Sequence, residues 1–239
     1  MSQTFNLCIA TETIAHDAQK LGVTVDDLSR ICVRVSANIV QKPELHLQLT
    51  YQVSLPTQSL ANQLNWPTWQ PAQVGFADYL WEETCLECFV AGNLVNDKDI
   101  AQADPTESYI EVNASPDGRY ALYQFERYRH PSKLPPFPLY QMDGHTPMRI
   151  NWMDNLEQQK VLNLSNEPST EPKLHKYERC FGIFLTQLPN QQYALNNTII
   201  EHIHPCVILW LGETDLYFAP SHASPPDFHN RNYWSQFKL

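Results

Sequence analysis

The stretch Leu80–Val90, with the sequence LWEETCLECFV, alternates its side chains with the period of two that is typical of a β-strand. One predicted face suits a hydrophobic core and consists of Thr84, Leu86, Cys88 and Val90. The other face mixes aromatic rings with carboxylates and consists of Trp81, Glu83, Cys85, Glu87 and Phe89. That second face suits a site that stacks on a polar ligand and hydrogen-bonds to it. A Glu87 paired with an arginine on a neighbouring strand is the commoner arrangement.

Composition limits the classes of partner that the chain can bind. Of its 239 residues 43% are hydrophobic, which is enough for a sizeable core in one large domain. The formal net charge is −10 and no basic run is present, so we expect neither nucleic acid nor an anionic membrane surface as a partner. No apolar run approaches transmembrane length, and no feature identifies a protein partner.

The N-terminal residues and the cysteines predict a cytoplasmic protein. Residues 1–13 lack a charged segment followed by a long apolar one, so no signal peptide is expected. In a reducing compartment the six cysteines are best interpreted as small hydrophobic side chains. Cys85 and Cys88 form a C-x-x-C, but positions three apart on a strand point to opposite faces. We therefore predict that they share neither a disulfide nor a metal.

Short alternating or continuous apolar segments recur along the chain and predict roughly ten strands. They lie at residues 5–10, 31–36, 45–53, 80–90, 108–114, 119–128, 148–153, 180–185, 205–211, 215–219 and 233–237. Helical pattern is confined to residues 17–30, where Gly22 interrupts it, and to a turn at residues 156–161. With 18 prolines and 7 glycines, the chain is predicted to be all-β. The expected architecture is a β-sandwich, jelly-roll-like with immunoglobulin-like layering and little helix, as a single domain over residues 1–239.

A tight turn fixes the register of one predicted hairpin. Residues 115–118 read SPDG, which suits a three-residue loop closed by a left-handed glycine. Glu111 then faces Tyr123 across the ladder. Tyr109 faces Phe125 in the same register. A slip by one residue would turn every one of these side chains to the opposite face.

Glu87 and Glu111 would share a sheet face if their strands are neighbours. Two carboxylates so close repel each other, so one is protonated, or an arginine, a metal or a ligand lies between them. An ion-pair network with Arg119, Arg127 or Arg129 is the commonest explanation of such buried charges. Ligand contact is the second alternative, and metal binding or catalysis is the third.

Two histidines give a weaker signal for a metal. His202 and His204 are two residues apart and would share one face of a strand. No carboxylate or cysteine with a metal-site spacing accompanies them on that face. We therefore predict surface or capping histidines and no metal site.

Three segments resemble the bacterial DOMON-like ligand-binding proteins, which belong with DOMON domains and family-nine carbohydrate-binding modules. They are LWEETCLECFV at residues 80–90, YIEVNASPDGRYALYQFERYR at residues 109–129 and SHASPPDFH at residues 221–229. The matching part is residues 30–239, and residues 1–29 are an N-terminal extension with a possible edge strand. The resemblance implies a β-sandwich with a sugar or haem on a sheet face. Within the third segment, Asp227 and His229 are expected to pin the closing strand.

The resemblance also implies roles for particular residues. In the sugar-binding modules a Trp, followed six positions later by a Glu, supplies ring stacking and hydrogen bonds, and Trp81 and Glu87 keep that spacing. Those modules use an Arg on the next strand, where this chain has Glu111 and Asn113 and no arginine before Arg119. Haem-binding DOMON domains use Met with His or Lys, and no such pair matches here. No cofactor is therefore predicted.

Together these patterns predict a non-enzymatic protein that binds a carbohydrate or another small polar ligand on a sheet face. The predicted ligand-binding residues are Trp81, Glu87, Glu111, Asn113, Tyr123 and Arg119. The alternatives are a glycosidase-like hydrolase using Glu87 and Glu111, a haem-binding DOMON-type protein, and a structural or partner-binding module without a small ligand. An open groove with exposed Trp81 favours binding, a carboxylate pair in a deep cleft favours catalysis, and a face filled by the chain's own side chains favours the structural module.

Overall fold

The computed structural model describes residues 2–92, 107–141, 143–153, 174–188 and 200–238. The described part is mostly β, with 47% strand against 16% helix, and it forms a large curled mixed sheet with few helices. The prediction of a β-rich fold with little helix is confirmed. The predicted helical turn at residues 156–161 lies outside the described residues.

The strands of the described part are β1 Ser2–Ile9, β2 Cys32–Val40, β3 His46–Leu55, β4 Gly75–Phe76, β5 Cys85–Gly92, β6 Tyr109–Ala114, β7 Arg119–Phe125, β8 Ile150–Trp152, β9 His175–Phe184, β10 Ile200–Leu211, β11 Thr214–Ala219 and β12 Ser235–Gln236. Its α-helices are α1 Ile14–Leu21, α2 Val25–Ser29 and α3 Gln58–Gln63. Single 3-10 turns occur at Pro71–Gln73, Leu80–Glu82, Leu185–Gln187 and Arg231–Tyr233.

The strands form one continuous sheet. Its order is β4, β7, β6, β5, β10, β11, β1, β2, β3, β9, β8, and β12 pairs with β10. The pairings are antiparallel except that of β4 with β7. β1 pairs with β11 on one side and with β2 on the other, so it joins the two halves of the sheet. The sheet is curled and open, and the predicted jelly-roll sandwich stays a prediction.

The main hydrophobic core is built from one face of strands in both halves. On β3 the alternate residues Leu47, Leu49, Tyr51 and Val53 are fully buried, as the period of two requires. They belong to the same cluster as the inward residues of β5, β6 and β10. The Tyr51 hydroxyl also donates a hydrogen bond to the Glu87 carbonyl oxygen at 2.7 Å. The sheet therefore curls around a shared interior.

A second hydrophobic core lies on the opposite face of β5. Cys85 and Phe89 belong to this second core, whereas Leu86 and Cys88 belong to the main core. The predicted alternation along residues 85–90 is therefore confirmed. Cys85 and Cys88 therefore lie on opposite faces of β5, as the sequence predicts, and each is a free thiol.

The predicted strand at residues 80–90 begins later than expected. Leu80–Glu82 is a 3-10 turn, and the strand starts at Cys85. Tyr79 has a left-handed backbone with a φ of 62°, and the Glu82 amide donates to the Tyr79 carbonyl at 3.1 Å. Leu80 is fully buried in the second core although it lies in this turn and not on a strand. The prediction that Trp81 lies on a strand is therefore wrong, because three residues are too few for periodicity to distinguish a strand from a turn.

The helical segment at residues 17–30 forms α1 and α2, with the predicted break between them. Gly22 ends α1 in the left-handed conformation, with a φ of 65°, which glycine adopts without steric cost. Thr24 then begins α2 through a capping box with Asp27. α1 brings Asp17 towards the outer face of the sheet, where the candidate site lies.

The hairpin of β6 and β7 has the predicted register. Glu111 faces Tyr123, and Tyr109 faces Phe125. The tip is closed by the Gly118 amide, which donates to the Ser115 carbonyl at 3.1 Å.

Within the described residues, the helices are too short or too polar to cross a lipid bilayer.

Candidate functional site

A cavity of about 620 Å³ lies on the outer face of β5 and β6. Its walls come from residues 9–17, the loop at residues 129–136, the β10–β11 hairpin and the C-terminal residues 226–229. This volume is within the range of small-molecule sites, roughly 300–1,000 Å³. The cavity is therefore the candidate functional site of the described part of the chain.

Two glutamates lie on the sheet face that lines the cavity. Glu87 comes from β5 and Glu111 from β6, and they are 3% and 5% exposed. Glu87 is opposite Asn113 and Phe89 is opposite Glu111, so the two glutamates are diagonal neighbours on adjacent strands. Such diagonal neighbours share one face and are close enough to interact. The prediction that Glu87 and Glu111 share a sheet face is confirmed.

The burial of this pair changes its protonation. Burial, and then the charge of Glu111, raise the pKa of Glu87 well above its usual value of 4.5. Burial raises the pKa of Glu111 to about 7, while the hydrogen bond from Asn113 and the charge of Arg129 oppose that rise. At neutral pH the pair therefore retains a proton, which lets it both donate and accept hydrogen bonds.

No salt bridge within the described residues includes Glu87. The thiol of Cys85, two residues earlier on the same face of β5, is a polar neighbour of Glu87. The predicted arginine network forms elsewhere, because Arg119 pairs with Asp117 at 2.7 Å and with Glu83 at 2.8 Å. The floor of the cavity thus holds a buried carboxyl group that none of these arginines neutralises.

A hydrogen-bond chain fixes the orientation of His229 beside Glu111. The Arg129 amide donates to the Tyr109 hydroxyl at 3.1 Å, and that hydroxyl is 2.7 Å from His229 Nδ1. Burial lowers the pKa of His229 to about 3, and the charge of Arg129 adds to this, so the ring is neutral at pH 7. Because Tyr109 accepts from Arg129, its own proton is available for Nδ1.

This network assigns the proton of neutral His229 to Nε2. Nε2 is 3.7 Å from Glu111 Oε2, which is too long for a direct hydrogen bond. His229 therefore presents an N–H group towards Glu111 at the wall of the cavity. An acceptor atom of a ligand could receive that hydrogen bond.

Aromatic side chains form the walls around these polar groups. Trp81 is half-buried and packs edge-on against Tyr123, with 6.0 Å between ring centroids. Phe89 packs edge-on against His229 at 4.9 Å. Phe125 and Phe228 complete this lining. The combination of flat apolar walls with a few convergent polar groups is typical of a ligand pocket.

Three of the six predicted site residues line the cavity, namely Trp81, Glu87 and Glu111. Asn113 lies behind them and donates from Nδ2 to Glu111 Oε1 at 2.7 Å, while its own Oδ1 is buried without a hydrogen-bond partner. Asn113 is therefore placed to orient Glu111.

The other two predicted site residues are not part of the lining. The Tyr123 hydroxyl donates to Asp78 Oδ1 at 2.8 Å, and its ring supports Trp81. Arg119 is held by Asp117 and Glu83 at the start of β7. Both residues stabilise the surroundings of the cavity.

Sequence reasoning missed several lining residues, above all Asp17, Phe125 and Arg129. Asp227 and His229 were noticed in the C-terminal motif but were expected only to pin the chain. Asp227 does bind Arg129 at 2.8 Å, and both Asp227 and His229 also line the cavity. The sequence signal for Asp227 and His229 is the closeness of a carboxyl and an imidazole group in the proline-containing segment at residues 221–229.

The two histidines of β10 differ in exposure, because His202 is half-buried and His204 is buried. His204 is 1% exposed and lies within β10, so its predicted surface or capping position is wrong. Its ring stacks on Trp234 with an interplanar angle of 12°. Burial, with a smaller effect of His222, lowers the pKa of His204 to about 3. Across the described ranges, no group of three or more His, Cys, Asp or Glu side chains could hold a metal ion.

Comparison with known proteins found no match to this chain among protein-family models, curated proteins or solved structures.

Proposed function

We propose that this protein is a non-enzymatic binding protein that holds a carbohydrate or another small polar ligand in the cavity above β5 and β6. One observation carries the proposal. Glu87 and Glu111, both buried, line the same 620 Å³ cavity as the half-buried ring of Trp81. A ligand with polar groups and a flat apolar face would satisfy the carboxyl groups and cover the ring at the same time.

The architecture supports this proposal in two ways. The floor residues project from paired strands, so their spacing is fixed by the backbone ladder. Apart from the β10–β11 hairpin, the cavity walls come from loops and from α1, which can differ in shape without disturbing the sheet. A DOMON-like sandwich that carries its ligand on a sheet face would have this division of roles, and we include that relationship and the sandwich layering in the proposal.

A hydrolase is the second candidate, and the raised pKa of both Glu87 and Glu111 favours it. A glycosidase needs its two carboxyl groups on either side of the scissile bond, roughly 5–10 Å apart. Here both groups rise from one sheet face on adjacent strands. Diagonal neighbours on adjacent strands lie roughly 7–8 Å apart, so this placement is compatible with binding or with hydrolysis, and a turnover assay distinguishes the two.

The test is a ligand screen by thermal shift over sugars, haem and divalent metals, followed by calorimetry of each hit. A ligand bound only by the native state raises the melting temperature. Trp81→Ala and Glu87→Gln should each weaken binding about tenfold or more, which corresponds to the roughly 1–3 kcal/mol expected from ring stacking or a charged hydrogen bond. Glu82→Gln is the matched control, because Glu82 is exposed and adjacent to Trp81.

Two outcomes would contradict the proposal. Hits whose affinity is unchanged in both variants would place the binding site elsewhere on the molecule. Turnover of aryl glycosides that is lost in Glu87→Gln or Glu111→Gln would instead establish the hydrolase.

A further inference from the structure

The charged groups that line the cavity are mostly acidic. Six carboxyl side chains contribute to the lining, and they are Glu12, Asp17, Glu87, Glu111, Asp215 and Asp227. The basic side chains of the lining are Arg129 and Lys133. This lining would repel an anionic ligand, and a neutral ligand would leave the negative charge of the lining unbalanced.

The two basic side chains are poorly placed to balance these carboxyl groups. Arg129 is bound to Asp227 with 2.8 Å between Nη2 and Oδ1. The ammonium group of Lys133 lies 5.0 Å from the centroid of the Phe137 ring, in a cation–π contact. Neither forms a salt bridge with Glu87, Glu111 or Asp17 in the described part of the chain.

Two of the carboxyl groups are deeply buried and approach the cavity from different elements. Asp17 is on α1 and is 7% exposed, and Glu87 is on β5 and is 3% exposed. Among the described residues neither has a basic partner, although buried acidic side chains are normally paired. A positive charge placed in the cavity would supply the missing partner for both.

The aromatic lining suits a cation as well. Trp81, Phe89, Phe125, Tyr217 and Phe228 line the cavity together with the carboxyl groups. The faces of such rings attract ammonium groups, and they cover the apolar body that carries the charge. Carboxyl groups among aromatic rings are the arrangement that recognises organic ammonium ions.

We infer that the ligand of this cavity is a small organic amine, protonated and attached to a ring or another compact apolar body, with its N–H groups bound by Glu87 and Asp17. This inference rests on the proposed function and names its class of ligand. An amino sugar and an arylalkylamine both have the required chemistry. A neutral sugar lacks the charge.

The groups facing Glu87 determine what binding does to its proton. They are Glu111 on β6, Cys206 on β10, Tyr217 on β11, Tyr51 on β3 and Cys85 on its own strand. Burial raises the pKa of the two thiols and the two phenols, so they stay neutral near pH 7. A bound ammonium group would favour the ionised carboxyl pair, and the pair would release a proton into solution.

The experiment compares amines with neutral analogues of nearly the same shape. Isothermal titration calorimetry of the wild-type protein at pH 7 would use phenethylamine against 2-phenylethanol, and glucosamine against glucose. We expect each amine to bind at least about tenfold more tightly than its analogue, as a buried charge pair requires. Repeating the phenethylamine titration in buffers of different ionisation enthalpy should show proton release, which needs no variant.

Variants then assign the preference to the two carboxyl groups. Glu87→Gln and Asp17→Asn should each reduce the ratio of amine to analogue affinity towards one, and Glu82→Gln should leave it unchanged. Equal affinity for amines and analogues, or amine binding without proton release, would overturn the amine inference and leave the proposed function standing. If neither series binds, the amine inference is wrong, and the screen over sugars, haem and metals decides the proposed function separately.

Discussion

At the scale of single residues, Glu87 decides how the site is understood. From the sequence, pairing with an arginine was the commoner explanation of this side chain. In the structure Glu87 is buried, lines the cavity and takes part in no salt bridge of the described residues. Its carboxyl group is therefore expected to cost stability when ionised, as an unpaired buried charge does.

The first prediction concerns the stability of Glu87→Gln as a function of pH. The pKa of Glu87 in the folded protein is raised above 4.5, so the folded state holds its proton at pH values where the unfolded state has lost it. Ionisation of Glu87 should therefore lower wild-type stability as the pH rises above about 4.5, and the uncharged glutamine removes this contribution while that of Glu111 remains. At pH 8 we expect Glu87→Gln to be about 1 kcal/mol or more stable than wild type, a gain of roughly 2–4 °C.

Urea unfolding of both proteins between pH 4 and pH 8 measures this difference, which should shrink towards zero at pH 4. The exposed Glu82→Gln variant should show no such trend. A loss of about ten degrees in the melting temperature of Glu87→Gln would instead identify Glu87 as an ion-pair partner, and the ligand site would have to be sought elsewhere.

At the scale of elements, the β6–β7 hairpin shows how a turn fixes the site. The SPDG turn sets the register that places Glu111 opposite Tyr123 and Tyr109 opposite Phe125. The tip of this hairpin is also a contact surface, because the Gly118 carbonyl accepts a hydrogen bond from Trp152 Nε1 at 2.9 Å. This hydrogen bond connects the hairpin, which lies near one edge of the sheet, with β8 at the opposite edge.

The second prediction compares glycine substitutions in two turns. Gly118 has a φ of 116°, and an added Cβ would lie 3.0 Å from Val74 Cγ2 and 3.1 Å from Trp69 Cζ3. Gly118→Ala should therefore destabilise the protein by about 2–4 kcal/mol, through backbone strain and crowding together. Gly144 has a φ of 71° in open space, so Gly144→Ala should cost only about 1 kcal/mol.

Urea denaturation of the two variants beside wild type tests this order. Equal losses would mean that Trp69 and Val74 move aside without cost, and that the tip of the hairpin is not held by packing.

At the scale of the whole molecule, the curled sheet separates its cysteines into two environments. Cys8 and Cys32 are exposed, whereas Cys85, Cys88, Cys180 and Cys206 are buried. Burial raises the pKa of Cys85, Cys88 and Cys206, which keeps these three as unreactive thiols. These three residues therefore act as small hydrophobic side chains of the two cores.

The third prediction is that a thiol reagent labels only Cys8 and Cys32 rapidly in the native protein at pH 8. The four buried cysteines should react on the timescale of unfolding, since attack requires an exposed thiolate. Mass mapping under non-reducing conditions locates the labels. A bridge between Cys85 and Cys88 in that map would contradict the strand geometry that places them on opposite faces of β5.

The sequence by itself determined the features that depend on neighbouring residues. Alternation set the two faces of residues 85–90, the SPDG turn set the register of Glu111 and Tyr123, and Gly22 divided the helical segment. Each of these depends on local backbone geometry or on a turn of a few residues, which a sequence pattern records directly. The same local rules wrongly predicted a strand at Leu80–Glu82, which form a turn although Leu80 is buried in the second core.

Only the tertiary structure decided the site. Asp17 on α1, Arg129 after β7 and His229 near the C-terminus meet Glu87 and Glu111 around one cavity, although most of the chain separates the first from the last. Whether Glu87 is paired, and whether His229 is charged, depends on the side chains that exclude water from them. Desolvation is a property of packing between distant segments, so no spacing of residues along the chain could have recorded it.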